Sequence, residues 1–136
     1  MIANLALGLF EIHSQGIQHR DLKPANILIF ETEGKKYLKL ADFGISKYNK
    51  ATDKIDTSRG FTGTLEYCSP ERFRGNPNCD KEDVWALGVT AYNIASLELP
   101  FKSKYPEAIM NKILKTNHPH IEHMSIEFND LITAML

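Results

Sequence analysis

Cysteine is scarce: Cys68 and Cys79 are the only two in 136 residues, and they form no C-x-x-C pair. That excludes a disulfide framework and leaves reduced thiols in an intracellular, cytoplasmic protein as the expectation. Charge of one sign is missing too. Sixteen Lys and Arg stand against 17 Asp and Glu, a net charge of −1, so nothing draws the chain to nucleic acid or to an anionic membrane. No stretch approaches the roughly 18 consecutive apolar residues of a membrane span. Residues 1–10 are apolar, but they have no basic flank and no small-residue cleavage site. They run directly into Glu11 and His13, so a signal peptide is not expected. Repeats and low-complexity tracts are absent. What is present is a globular balance, 43% hydrophobic and 24% charged, in a chain long enough for one domain with a real core.

Apolar spacing then marks the elements. Ile2, Leu5, Leu9 and Ile12 recur at intervals of three and four, which predicts an amphipathic helix that Gly16 stops. No capping signal precedes it, so the chain is expected to begin inside a larger unit. Residues 27–30 and 37–40 are strand candidates joined by a longish polar loop over 31–36 containing Gly34. Residues 46–64, rich in Lys, Asp, Ser, Thr and Gly, predict a long irregular loop, and loops of that length are usually functional or disordered. The strongest helix spans residues 80–99, with Asp80 as N-cap and Pro100 forcing the end. Val84, Trp85, Leu87, Val89, Ala91, Tyr92, Ile94 and Ala95 cover all its faces, which predicts a buried central helix. Amphipathic helices are predicted over 107–114 and 126–136, the last without a C-cap signal.

Two motifs carry chemistry. His19-Arg20-Asp21-Leu22-Lys23-Pro24-Ala25-Asn26 matches H-R-D-L-x-x-x-N at every specified position. With each residue type used at about 5%, chance supplies such a match roughly once in three million positions. Sixteen residues after Asn26 comes Asp42-Phe43-Gly44. That triplet alone is weak; following a hairpin that follows the first motif, it is strong.

Together these segments resemble the eukaryotic-type protein serine/threonine kinase catalytic domain, from its middle onward. Gly63-Thr64-Leu65-Glu66-Tyr67-Cys68-Ser69-Pro70-Glu71 resembles the end of the family's activation segment, and Asp83-Val84-Trp85-Ala86-Leu87-Gly88 the start of its central helix. The resemblance runs along nearly the whole chain. It implies a mainly α fold of the α+β family: the kinase large lobe, helical, with a small β-hairpin at the catalytic loop (residues 19–26). A magnesium triplet (42–44) and a long activation segment (42–71) would follow. Residues 1–136 would be a partial kinase domain, because they contain no G-x-G-x-x-G loop, no V-A-I-K lysine and no hinge.

The resemblance also implies roles. Asp21 would accept the substrate hydroxyl proton, and Lys23 would present a compact positive charge to the γ-phosphate of ATP; a lysine here is what serine/threonine members carry. Asn26 and Asp42 are oxygen ligands suited to Mg²⁺. Leu28 would floor the adenine, and Thr64 would hydrogen-bond Asp21 and Lys23. Asp83 would hold the catalytic-loop backbone, while His19 and Phe43 would be packed structural residues, His19 not a proton carrier. Glu71 would pair with an arginine further along the family's chain. Arg20 and Lys47 would grip a phosphate on the activation segment. Thr57, Ser58 and Thr62 are the candidate acceptors; Ser58 is the first choice, because Gly60 occupies the position that best matches the family's acceptor.

The expected partners are protein substrates with Ser or Thr acceptors, and ATP, with no nucleic acid and no membrane. The isolated 136 residues are expected to be inactive by themselves, and a non-catalytic binding module or a truncated product is the alternative reading. Three histidines in six residues (His118, His120, His123) suggest a metal site, but no fourth ligand is evident and a metal there is not expected.

Overall fold

The computed structural model describes residues 2–42, 47–48, 64–76 and 79–136. Helix α1 (Ile2–Ser14) leads into a short strand β1 (Ile17–Gln18). A 3-10 turn (Pro24–Asn26) then opens the hairpin β2 (Ile27–Thr32) and β3 (Lys35–Leu40). Strand β4 (Lys47–Tyr48), a 3-10 turn (Leu65–Tyr67) and the short helix α2 (Pro70–Phe73) follow. Helices α3 (Cys79–Ser96), α4 (Pro106–Lys115) and α5 (Ile126–Met135) complete the described chain. The result is mainly helical, with two small antiparallel ribbons.

Helix α3 organises the packing. Residues 85–92 are buried on every side, as an all-round apolar pattern requires. Ala86 and Leu87 join Leu5 and Leu9 of α1, Leu22 of the loop over residues 19–26 and Leu38 of β3 in one cluster. Trp85 and Val89 join Phe101 with Ile109 and Ile113 of α4 in a second. Ala91 and Tyr92 join Ile121 and Ile132 of α5 in a third. One helix thus holds the 19–26 loop on one flank and α4 and α5 on the others. At Gly88 the approach of α5 is so close that an added Cβ would lie 2.8 Å from the Cβ of Met135.

The hairpin differs from the sequence expectation. Pairing continues through Glu31↔Lys36 and Thr32↔Lys35, so the connection is two residues, Glu33 and Gly34, and not six. Both have positive φ, 50° and 69°, the backbone of the tight turn whose twist suits a hairpin. The polar residues 31–36 looked like loop, yet opposite charges at Glu31 and Lys36 face each other across the strands and extend the ladder. Phe30 stacks on its partner Tyr37 at 5.3 Å, with the Lys39 ammonium 4.4 Å from the Phe30 ring centre.

Two further expectations are corrected. The segment 46–64 is not loop throughout, because Lys47–Tyr48 pairs with Ile17–Gln18. Helix α3 starts at Cys79, which puts Asp80 inside the first turn, and it stops at Ser96, before the predicted 99. Leu97 turns into the left-handed region (φ 59°) while its N–H still bonds to the Asn93 carbonyl at 2.9 Å, which closes the helix end. Helices α4 and α5 extend the predicted ranges by a residue or lose one. Ser125 caps α5 by accepting from the Phe128 N–H at 3.2 Å.

Candidate functional site

The site sits where α1, the 19–26 loop, the open end of the hairpin and the start of α3 converge. Its scaffold is Asp83, 1% exposed in the first half of α3. Its Oδ2 accepts from the His19 N–H at 2.8 Å and from His13 Nε2 at 2.8 Å. Its Oδ1 accepts from the Arg20 N–H at 2.8 Å. A buried carboxylate needs such donors, and here they are the backbone of the loop it must hold. Arg20 adopts φ 66°, a conformation that costs a non-glycine residue about 1–2 kcal/mol. The chain must turn sharply there to bring Asp21 out towards solvent.

His19 is fully buried. Its Nε2 lies 3.0 Å from the Ala41 carbonyl, which can only accept, so Nε2 carries the proton. Nδ1 is then the acceptor facing the Asp21 N–H at 3.4 Å. The ring ties the catalytic loop to the residue before Asp42 and is committed to structural bonds.

Asp21 is about a fifth exposed, and Lys23 Nζ lies 2.7 Å from its Oδ2. Asn26 closes the loop from the other side, donating through Nδ2 to the Asp21 carbonyl at 2.7 Å and to Asp21 Oδ2 at 3.0 Å. With Nδ2 so engaged, the amide oxygen of Asn26 makes no hydrogen bond among the described residues. Opposite it, the Ala41 N–H bonds to the Asn26 carbonyl at 2.9 Å, which sets Asp42 beside Asn26 at the hairpin mouth. Asp42 is exposed and has φ 60°. An amide oxygen and a neighbouring carboxylate are a donor set that fits a hard divalent cation holding phosphate oxygens. Leu28 is 60% exposed on β2, an apolar surface one residue beyond Ile27, which follows Asn26 directly.

The rest of the predicted set divides. Thr64 lines the same cleft as Arg20, Asp21, Ser69 and Arg72. Its hydroxyl makes no hydrogen bond to Asp21 or Lys23 among the described residues. Arg20 donates from Nε to Gln18 Oε1 at 2.9 Å. Glu71 is half-buried and its carboxylate has no ion-pair partner among the described residues. Its neighbour Arg72 instead meets Glu82 of α3 at 3.3 Å. Burial raises the Glu82 carboxyl above its ordinary range, and the Arg72 guanidinium works in the opposite direction. Phe43, Thr57, Ser58 and Thr62, with the side chain of Lys47, lie outside the described residues; the Lys47 backbone sits opposite Gln18. The three histidines diverge: His118 Nε2 meets Thr133 Oγ1 and His123 Nε2 meets the Ala95 carbonyl.

Sequence reasoning missed His13, Gln18 and the Arg72–Glu82 pair. No local pattern could have found His13, whose partner is 70 residues away.

Comparison with known proteins agrees with this geometry. The family model described as the protein kinase domain matches residues 1–136. Ribosomal protein S6 kinase alpha-1 of Homo sapiens is 40% identical over 134 residues, covering 98% of this chain and 18% of that protein. Ribosomal protein S6 kinase 2 alpha of Gallus gallus is also 40% identical, over 98% of this chain and 17% of its own length. The putative 3-phosphoinositide-dependent protein kinase 2 of Homo sapiens is 34% identical, over 98% of this chain and 33% of its own. The chain therefore spans about a sixth to a third of the length of these relatives. With the loop, the hairpin and the buried aspartate in one place and a family match from end to end, this chain belongs to the protein kinase domain family.

Proposed function

We propose that these residues supply the catalytic and magnesium-binding loops of a protein serine/threonine kinase, which transfers the γ-phosphate of ATP to Ser or Thr hydroxyls of protein substrates. The observation that carries this reading is the arrangement at Asp21. One carboxylate oxygen meets Lys23 Nζ at 2.7 Å and Asn26 Nδ2 at 3.0 Å, on a backbone pinned at both ends. Phosphoryl transfer asks for positioning and charge compensation more than covalent chemistry.

In this reading Asp21 orients the substrate hydroxyl and takes its proton. Lys23, held on Asp21, presents its ammonium to the phosphate being transferred. Asn26 and Asp42 would hold Mg²⁺, which would supply charge neutralisation on the phosphate oxygens. Leu28 contributes the apolar floor under the adenine. Arg20, anchored by Gln18, and Lys47, whose backbone lies across from Gln18, would receive a phosphate on Thr57, Ser58 or Thr62.

The test joins residues 1–136 to the nucleotide-clamping small lobe of a protein kinase and measures transfer to serine, threonine and tyrosine peptides. The expected result is Mg²⁺-dependent transfer to serine and threonine, with Asp42→Asn weakening the response to Mg²⁺–ATP. Transfer confined to tyrosine, or turnover independent of Asp42, would overturn the reading.

A further inference from the structure

Gln18 is a buried amide whose neighbour is a charge. It is 1% exposed in β1, where its backbone pairs with Lys47 of β4. Arg20 donates from Nε to Gln18 Oε1 at 2.9 Å. A buried amide oxygen needs such a donor, and a guanidinium anchored on a strand loses most of its freedom to swing.

The cleft that Arg20 lines also contains Asp21, Glu82 and Asp83, and each carboxylate attracts a guanidinium. Two of them are well supplied. Asp83 accepts three hydrogen bonds, and Asp21 Oδ2 accepts from Lys23 and Asn26. Glu82 is held less closely, by Arg72 at 3.3 Å. Burial raises its carboxyl, Arg72 opposes that, and the charge of Arg20 opposes it as well. Released from β1, the Arg20 guanidinium would turn to Glu82. Gln18 takes Nε instead and, being neutral, does so without compensating the charge. With Nε committed, an anion can meet this guanidinium in a two-pronged contact only through the Nη1–Nη2 edge.

We propose that Gln18 is the positioning residue that makes Arg20 a phosphate receptor: it aims the guanidinium, keeps it off Glu82 and leaves its charge for a phosphate monoester. The inference deepens the reading above and rests on it for where the phosphate is carried, at Thr57, Ser58 or Thr62. A receptor whose side chain is ordered beforehand answers a phosphate more strongly than one that must first be ordered. An apolar side chain at position 18 would fill the same space and let the guanidinium go. A glutamate would hold it and neutralise it.

The experiment uses the joined kinase, without phosphate and with phosphoserine incorporated during synthesis in place of Thr57, Ser58 or Thr62 in turn. Each form is made with the unmodified sequence, with Gln18→Met and with Gln18→Glu. Two quantities are read: the Arg20 Nε–H resonance by NMR, and the ratio of kcat with phosphoserine to kcat without. In the unmodified protein the Nε–H should be protected from exchange, and a phosphoserine should shift it and raise kcat. In Gln18→Met the protection should disappear and the ratio should fall about tenfold, the worth of one charge-assisted hydrogen bond. In Gln18→Glu the protection should persist while the ratio falls by a similar factor, because the guanidinium is already compensated. An Nε–H still protected in Gln18→Met, or a ratio equal to the parent's in either variant, would overturn the proposal. So would a parent resonance that no phosphoserine moves, and normal turnover in that parent would leave the kinase reading standing. A parent that is inactive, or whose turnover ignores the phosphate, counts against the reading above and not against Gln18. The resonance then decides: a phosphoserine shift in the parent that is lost in Gln18→Met supports the proposal, and one that persists overturns it. If Gln18→Met does not fold, Gln18→Glu decides alone: a protected Nε–H that no longer answers to phosphoserine supports the proposal, and a parental shift overturns it.

Discussion

Asp83→Asn is the sharpest perturbation of the scaffold, because it changes one atom and leaves the shape. The carboxylate accepts three hydrogen bonds on two oxygens, two on Oδ2 and one on Oδ1. An asparagine has one oxygen and one NH₂ group, so one side of the buried cluster must face a donor with a donor. With the oxygen in the Oδ2 place, the His13 and His19 bonds survive and the Arg20 N–H is orphaned. The opposite orientation orphans two donors and is the worse choice. Leaving one donor unsatisfied costs about 1–3 kcal/mol, and the site is 1% exposed, so water cannot compensate. Asp83→Ala loses all three bonds and should cost about 3–5 kcal/mol, as when one member of a buried charged set is removed. That is a large share of the 5–15 kcal/mol typical of folded domains. Amide exchange followed by NMR separates the cases. In Asp83→Asn the Arg20 amide should exchange about tenfold to a hundredfold faster while His19 changes little; in Asp83→Ala both should accelerate. An Arg20 amide as protected in Asp83→Asn as in the parent would show that Asp83 does not hold the loop, and the derivation of the site would fail with it.

Two other outcomes follow from the packing. Leu97 is 86% exposed and ends α3 at φ 59°, so Leu97→Gly should raise stability by about 1 kcal/mol and increase the urea midpoint, less the entropy that glycine adds to the unfolded chain; an unchanged or lower midpoint would show that the turn carries no strain. Burial pushes the Cys68 thiol up from 9.0 to about 12, with Arg72 pulling the other way. A group whose folded pKa is raised keeps its contribution below the unfolded value, so stability should fall as pH climbs from about 9 towards 12. Native Cys68 should also resist alkylation at neutral pH relative to the denatured chain, as mapped by mass spectrometry. Equal labelling in the two states would contradict that.

Much of this organisation could be read from the residues, and the limits have physical causes. Helices α1, α4 and α5 announced themselves through spacing, since each buries a face that repeats every three or four positions, and α3 through apolar residues on all its faces. Asp21, Lys23, Asn26 and Asp42 stood out because they fall in two motifs, H-R-D-L-x-x-x-N and D-F-G, in the order the family keeps. The length of the hairpin was not legible. Its turn places a glutamate, Glu33, at positive φ, and its last rungs are charged residues that resemble loop. Strand β4 is two residues long, too short for any periodicity. The end of α3 depends on a leucine in a glycine-like conformation, whereas composition pointed to Pro100 three residues on. His13 and Gln18 stayed hidden because their roles are tertiary. A histidine in an amphipathic helix carries no mark of the aspartate it will meet 70 residues later. Thr64 makes no hydrogen bond to Asp21 among the described residues, although the two line one cleft.

The central claim is that Asp21, aimed by Lys23, Asn26 and Asp83, is the group that positions and deprotonates the acceptor hydroxyl. Steady-state kinetics of Asp21→Asn in the joined kinase, with ATP titrated against a serine peptide, tests it most directly. The account predicts that kcat falls by about two to four orders of magnitude, the range of a lost general base, while the KM for ATP stays close to the parent's. An Asp21→Asn enzyme that turns over at near-parental rate would contradict it.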